Sequence, residues 1–389
     1  MCRIVSRDHG EDLVTKEAFH LMSLGLSGGV VFPELRELDW KANHDTLPFY
    51  RLFLSPKLSI LSFWFSTSPE SLERDLSMVE SAVMGLGTLP LRYLYLRWLN
   101  PEAGSSQMES VASSAVLRCG TTLMHLSTFS PLSDAAVQHI IQLPNLNSLS
   151  TTSGPPRTSD LSLSAIFPRL DRISLVGEDS LEWLTFFTTT ARRISSGRRS
   201  HPPFKHEPIE RLRELMIAPK VIIDAAFMSR IIQFHELTSL GLTSACFTVG
   251  GCGFKLTDDD IAEIAAALPR LEMAALGRAC HANSCQTTVT SLVSLSTHCR
   301  GLEYLGIHFN TANLRNDLDA VLADPQLDSL PTLRTSNDFH LCLSFAPCTF
   351  SEDDIVPVLR GLRRIFPSLA QISGVKAFWR QLNLRLPEV

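Results

Sequence analysis

Five side chains between positions 280 and 299 are of the types that hold zinc: Cys280, His281, Cys285, His298 and Cys299, with Cys252 upstream. Structural zinc takes thiolate and imidazole ligands in closely spaced pairs, and "CHANSC" offers Cys280 and Cys285 with four residues between. Cys280 and Cys299 fit buried, repeated positions better, because a free cysteine packs there as a small hydrophobe, so no metal is expected. "GLSGG", Gly25 to Gly29, satisfies the G-x-S-x-G pattern of serine hydrolases. That chemistry needs a strand before the serine and a helix after it, whereas "VVFPELREL" leads into a strand, so Ser27 is read as a turn residue. "FTVGGCGF", Phe247 to Phe254, is rich in glycine but lacks the Gly-Lys-Ser/Thr ending that cradles phosphate, and it reads as a long turn. No nucleophile, base and orienting group come together, so neither catalysis nor a cofactor is expected.

Charge points to one segment. "ARRISSGRRSHPPFKHEPIERLR" carries Arg192, Arg193, Arg198, Arg199, Lys205 and Arg211, a marked basic cluster in a chain of net charge −5 and pI near 6.2. A nuclear-import or anion-binding patch and a solvated, Pro- and Ser-rich insertion over about 188–208 both fit it. "RRIS" makes Ser195, beside Arg192 and Arg193, the candidate regulated position, since phosphate there would partly cancel the arginines. The acidic balance argues against general nucleic-acid binding. No apolar run is long enough to span a bilayer, and the first residues lack the apolar segment of a secretory signal. Nine irregularly spaced cysteines and the absence of N-x-S/T sites suit reduced thiols in cytoplasm or nucleus.

The elements that must position any site are repeated. "LRELDW" from Leu35, "LSILSF" from Leu58, "LRYLYL" from Leu91, "LMHLSTF" from Leu123, "LNSLS" from Leu146 and "LDRISL" from Leu170 open the series. "LRELMI" from Leu212, "LTSLGL" from Leu237, "LEMAAL" from Leu271, "LEYLGI" from Leu302, "LRTSND" from Leu333 and "LAQIS" from Leu369 continue it. The later apolar positions of each alternate with other residues, as a strand with one buried face requires. Helical stretches lie between: "KLTDDDIAEIAAALPRL" has Thr257 as N-cap and three aspartates in its first turn, and "PLSDAAVQHIIQLPNL" and "TFSEDDIVPVLRGLRRIFPSL" repeat the plan from Ser133 and Ser351. Pro144, Pro269 and Pro367 end these helices just before the next strand. Asn43 and Asn310, three residues past the last apolar position, suit the turn that leaves the strand.

A strand–turn–helix unit of this kind cannot bury its apolar face alone, but stacked neighbours bury it for one another. "LTDDDIAEIAAALPRLEMAALGRAC" and "THCRGLEYLGIHFN" resemble the cysteine-containing leucine-rich repeat of F-box/leucine-rich-repeat proteins. "LPFYRLFLSPKLSILSF" and "FPSLAQISG" resemble the F-box-type repeat proteins of mushroom-forming fungi. The resemblance covers roughly Phe32 to Gly374. It implies an α/β leucine-rich-repeat solenoid, with a curved, mostly parallel sheet inside and helices outside, over 32–374. Residues 1–31 form a lead-in or cap, and 375–389 a tail.

By the same resemblance the function is protein recognition, as the substrate-binding part of an F-box-like ubiquitin-ligase receptor. A ligase-independent scaffold or inhibitor is the alternative. With Leu61, Leu94, Leu96 and Leu126 in the core, Trp64, Tyr93, Tyr95, Arg97, His125 and Phe129 face the other side of the sheet and are the candidate partner-binding residues.

A Skp-type adaptor and cullin are partners only where an F-box is supplied, and "EDLVTKEAFHLM" has neither the proline nor the hydrophobic spacing of the module's opening L-P-x-E-type motif. The 389-residue chain is therefore expected not to bind a Skp-type adaptor in titration calorimetry. Micromolar or tighter affinity would place a divergent F-box in the first 30 residues.

Overall fold

The computed structural model describes residues 3–5, 16–25, 29–42, 46–65, 79–81, 83–98, 105–156, 166–197, 211–219, 222–243, 253–277, 286–308, 310, 313–325, 339–344, 355–373 and 386. The chain divides into two compact units, Met1–Asp179 and Ser180–Val389. In the first, β1 (Arg3–Val5), β2 (Glu37–Ala42), β3 (Ile60–Phe65), β4 (Tyr93–Trp98), β5 (His125–Thr128), β6 (Ser148–Thr151) and β7 (Arg172–Gly177) each pair in parallel with the next. Helices Lys16–Gly25, Ser105–Arg118 and Asp134–Gln142 and two 3₁₀ turns, Leu47–Phe53 and Gly85–Thr88, connect them. The second unit opens with the helix Ser180–Gly197. It continues with β8 (Glu214–Pro219), β9 (Ser239–Leu242), β10 (Met273–Leu276), β11 (Tyr304–His308), β12 (Phe339–Ser344) and β13 (Leu369–Ser373), again parallel in chain order. Its further helices are Ala225–Ile231, Asp258–Ala267, Val289–His298, Leu314–Ala323 and Ile355–Ile365. Both units thus have the construction of an α/β leucine-rich-repeat solenoid.

The repeat works through the leucine that precedes each strand. Ten strands, β2 to β11, begin two residues after such a leucine. Leu35, Leu58, Leu123, Leu146, Leu237, Leu271 and Leu302 have no exposed surface. The next apolar position, three residues on, is equally dry at Leu38, Leu61, Leu94, Leu126 and Leu305. Between these two positions the backbone makes a recurrent bond. The Arg36 carbonyl accepts from the amides of both Ser59 and Ile60, at 2.9 and 3.0 Å, and Ser59 then accepts from Arg92 and Tyr93, at 2.8 and 3.0 Å. Arg92, Met124 and Asn147 continue the series in the first unit, and Arg213, Thr238 and Glu272 form it in the second.

Helix starts are tied in the same repeating sense. Thr257 and Asp260 form a reciprocal capping box. Asp258, beside them, reaches the following helix and accepts from the Thr288 amide and hydroxyl, both at 2.7 Å, and from the Ser291 amide at 3.2 Å. Ser133 caps Asp134–Gln142 through the Ala136 amide. Residues 351–354, which include Ser351, lie outside the described residues, and the helix they precede runs Ile355–Ile365. Gly361 on that helix meets Leu318 closely enough that a Cβ would stand 2.8 Å from the leucine, so only glycine lets these helices approach.

The strand that next pairs with β11 is Phe339–Ser344, and "LRTSND" lies outside the described residues. Phe339, fully buried and stacked on Phe366 at 4.5 Å, supplies the apolar anchor, and a register shift follows it against β13. The segment read as an insertion from about 188 is helical as far as Gly197, because Leu184, Phe187 and Trp183 give that helix a buried face. Residues 198–210 lie outside the described residues. Finally, residues 3–5 and 16–25 are integral to the first unit: β1 extends its sheet, and Phe19 packs among Trp40, Phe49 and Phe53 at 5.6 to 5.9 Å.

Leu94→Ala in the first unit and Leu240→Ala in the second should each cost about 2 to 5 kcal/mol through lost burial and a cavity. Urea denaturation of the purified variants measures this, and near-wild-type midpoints for both would contradict the register.

Candidate functional site

The alternation of β3 and β4 divides six residues of each strand between two environments. Leu61, Phe63 and Phe65, with Leu94, Leu96 and Trp98, are buried. Phe63, Phe65 and Trp98 stack in series at 4.7 and 4.1 Å, a rigid apolar floor beneath the sheet. The other set, Ile60, Ser62, Trp64, Tyr93, Tyr95 and Arg97, is partly exposed.

Strand pairing turns that set into rows. One row runs Glu37, Ile60, Tyr93, His125, Ser148 and Arg172 across β2 to β7. The middle row is Asp39, Ser62, Tyr95, Ser127, Ser150 and Ser174. The third is Lys41, Trp64 and Arg97. Phe129 stands beside this third row just past β5, 39% exposed, its amide bonded to the Leu96 carbonyl at 3.3 Å. All six residues expected on this face are therefore on it and adjacent.

They also touch. The Arg97 guanidinium carbon lies 4.5 Å from the Trp64 ring centre and 5.4 Å from that of Phe129, a cation between two aromatic faces. The Trp64 indole N–H donates to Asp39 Oδ1 at 2.7 Å, which fixes the ring. His125 contacts Tyr95 at 4.9 Å and Tyr93 at 5.9 Å between ring centres. Burial, reinforced by the charge of Arg172, pushes the His125 imidazole below its ordinary value, so it is neutral at pH 7. Burial and the neighbouring Tyr93 raise the Tyr95 phenol. The arrangement can present flat aromatic surface and one oriented cation, and that is the chemistry of binding.

Asp39 was not singled out from the sequence, although the alternation in "LDWKAN" places it and Lys41 on the face of Trp64. Its role emerges only with the register, because its partner lies 25 residues away.

The second unit has a different face. Its middle row is Met216, Gly241, Ala275, Gly306, Cys342 and Ser373. A Cβ on Gly241 would collide with the Met216 thioether, so the small residue makes room for the large one. Met216 and Met273 are 42% and 49% exposed, and Tyr304 and His340 meet edge-on at 5.3 Å.

The other sequence candidates do not assemble. Among the described residues no group of His, Cys, Asp and Glu could hold a metal ion. Cys252, Cys280, His281 and Cys285 lie outside those residues. Cys299 is fully buried with its thiol on the Ala265 and Leu268 carbonyls, while His298 is exposed and rests on Ser294. Burial pushes the Cys119 and Cys299 thiols up to about 12, so both are packing residues with little thiolate. A helix, Lys16–Gly25, and not a strand leads into "GLSGG", whose Ser27 lies outside the described residues. Phe254, at the end of "FTVGGCGF", is buried against Gly277 and bridges in parallel to Ile223, and 247–252 lie outside the described residues. Arg192, Arg193 and Ser195 belong to the last turns of Ser180–Gly197, where a phosphate would oppose the helix dipole. The Asn310 amide donates to the Thr287 carbonyl at 2.8 Å; Asn43 lies outside the described residues. No described helix is long and apolar enough to cross a membrane.

No protein-family model matches the chain, and no curated protein matches it. Among the solved structures it is similar to is the crystal structure of the Rad7 and Elc1 complex in yeast, at 13% identity and a TM-score of 0.31, over 80% of this chain and 86% of that one.

His125 makes the face sensitive to acid. Its folded value lies below the ordinary 6.5, so the unfolded chain takes up the proton first as pH falls, and stability is lost from the ordinary value downward through the folded one. His125→Gln should therefore lose less stability than wild type between about pH 7.5 and about pH 5 in urea melts. Equal losses would mean that the imidazole is solvated in the folded state.

Proposed function

We propose that this chain recognises another protein, and that the contact is made by Trp64, Tyr93, Tyr95, Arg97, His125 and Phe129 on the sheet face of the first unit. The observation that carries the reading is the enclosure of Arg97 between Trp64 and Phe129 on a surface backed by a stacked apolar floor. Aromatic rings and arginine dominate binding energy where they are held rigid before the partner arrives, because little side-chain entropy remains to be lost. The reading includes no catalytic step and no cofactor.

The finer proposal is that the partner is a substrate presented to a ubiquitin ligase, with this chain as the receiving part of an F-box-like receptor. Its support is the cysteine-containing repeat pattern around Thr257 and Cys299, together with the capping box and the buried thiol that the pattern calls for. Co-purification of cullin and adaptor with the protein expressed from its full gene tests the ligase link separately from the binding face.

Tyr95→Ala and Trp64→Ala should each weaken a purified partner complex by about 1 to 3 kcal/mol. Tyr95→Ala should leave the melting temperature nearly unchanged. Trp64→Ala also removes the bond to Asp39, worth about 1 kcal/mol of stability. Met273→Ala, on the second unit, is the control that should bind normally. Binding that survives both first-unit substitutions and fails with Met273→Ala would move the site to the other face.

A further inference from the structure

Several other described cations have polar partners that Arg97 lacks. Lys57 pairs with Glu34, Arg270 with Glu236, Arg172 with Asp171, and Arg364 reaches the Leu322 and Asp324 carbonyls. Among the described residues no group accepts a hydrogen bond from Arg97 and no carboxylate pairs with it, and its Nε is buried without a partner. A buried donor left unbonded is costly. The rings of Trp64 and Phe129 offset that through their contact with the cation. Among the described residues the terminal nitrogens of the guanidinium likewise have no hydrogen-bond partner. The nearest acid in the adjoining row, Asp39, sits two strands away and accepts from Trp64.

The shape of the opening selects the anion. A guanidinium held flat between rings presents a fork that a planar carboxylate matches in two parallel hydrogen bonds. A phosphate dianion would draw on more than one cation, and the other cations on this face are not close. Lys41 is two strands off in the same row, roughly 10 Å, and Arg172 is three strands off and four residues back along the strand, roughly 20 Å.

The surroundings select the segment that carries the carboxylate. Tyr95 lies two residues before Arg97 on the same face, about 6.6 Å along the strand, and with His125 it forms an aromatic shelf. Alternate side chains of an extended peptide are spaced by the same distance, whereas neighbouring strands are only about 4.8 Å apart. A peptide lying along β4 therefore sets one side chain on the fork and its second neighbour on the shelf. The intervening hydroxyls of Ser62 and Ser127 flank Tyr95 in register and leave the path low.

We infer that Arg97 receives an Asp or Glu carboxylate from an extended segment of the partner, with a large apolar side chain two residues away on the Tyr95–His125 shelf. This rests on the first-unit face being the recognition surface.

The test is selection of linear peptides from a randomised display library on the 389-residue protein, followed by titration of synthetic winners. The expected winners carry Asp or Glu at two-residue spacing from Phe, Trp, Leu or Met. Changing that acid to its amide in the peptide, which leaves the protein's fold untouched, should weaken binding about tenfold or more. Arg97→Gln should do the same and should abolish the difference between acid and amide. Arg97→Lys should recover only part, because an ammonium lacks the fork. Winners that need Trp64 and Tyr95 but ignore the acid-to-amide change would overturn the carboxylate assignment while leaving the binding face standing. Winners indifferent to Trp64, Tyr95 and Arg97 alike would overturn both. A phosphoserine replacing the acid and binding more tightly than Asp or Glu would overturn the choice of anion. A library that yields no winners would overturn the linear-segment assignment and leave the face open to a folded partner.

Discussion

Every feature of the first unit's aromatic face depends on one backbone constraint, the carbonyl that accepts two amides of the next repeat. The Arg36 carbonyl holds Ser59 and Ile60, the Ser59 carbonyl holds Arg92 and Tyr93, and Arg92 holds Met124 and His125. Each such bond sets where a strand starts relative to its neighbour. A slip of one residue would exchange the two faces of a strand, exposing Phe63, Phe65 and Trp98 and burying Ser62, Trp64 and Arg97. The leading leucines stand just before these bonds and the second leucines just after, so register and burial reinforce each other at the same point of every repeat. Surface residues inherit their places from that agreement, although none of them helps create it.

The same scaffold yields two unlike surfaces because face residues are nearly free of core demands. In the first unit the rows carry rings and hydroxyls, and the rings hold one another: Asp39 fixes Trp64, Trp64 and Phe129 confine Arg97, and His125 leans on Tyr95. In the second unit the middle row is reduced to Gly241, Ala275, Gly306 and Cys342, over which Met216 can lie. Methionine is flexible and polarizable, suited to varied contact. Rings locked by one another suit a defined contact, since their ordering is already complete. The difference between the faces is thus one of rigidity as well as of composition.

Much of this was legible in the chain because the repeat is written in one residue type at fixed offsets. Eleven of the twelve leucine-led strands lie where the leucines put them, and the alternation assigned Tyr93, Tyr95 and Arg97 to the face opposite Leu94 and Leu96. Where the anchor is not leucine, the reading failed. β12 is anchored by Phe339, which no leucine pattern marks, and three residues near the N-terminus pair as β1 with no leucine before them. The helix through Gly197 was obscured by arginines and prolines that follow its buried turns, since composition over a window averages the two. The Trp64–Asp39 bond and the Arg97 enclosure were beyond reach, because contacts between residues 25 to 33 apart require the register first.

The enclosure of Arg97 follows from the order of these dependencies. A long cationic side chain on a strand face normally extends into water, where its entropy and hydration are retained. Here Trp64 is held upright by Asp39 from one side and Phe129 is carried into place by its amide bond to Leu96, so the space left between them is set before Arg97 fills it. The guanidinium enters because its faces are weakly hydrated and its edges are not. The rings cover the faces of the group, which lose little by leaving water, while its buried Nε, a donor, loses more. The result is a cation whose position is determined by apolar contact and which, among the described residues, donates no hydrogen bond.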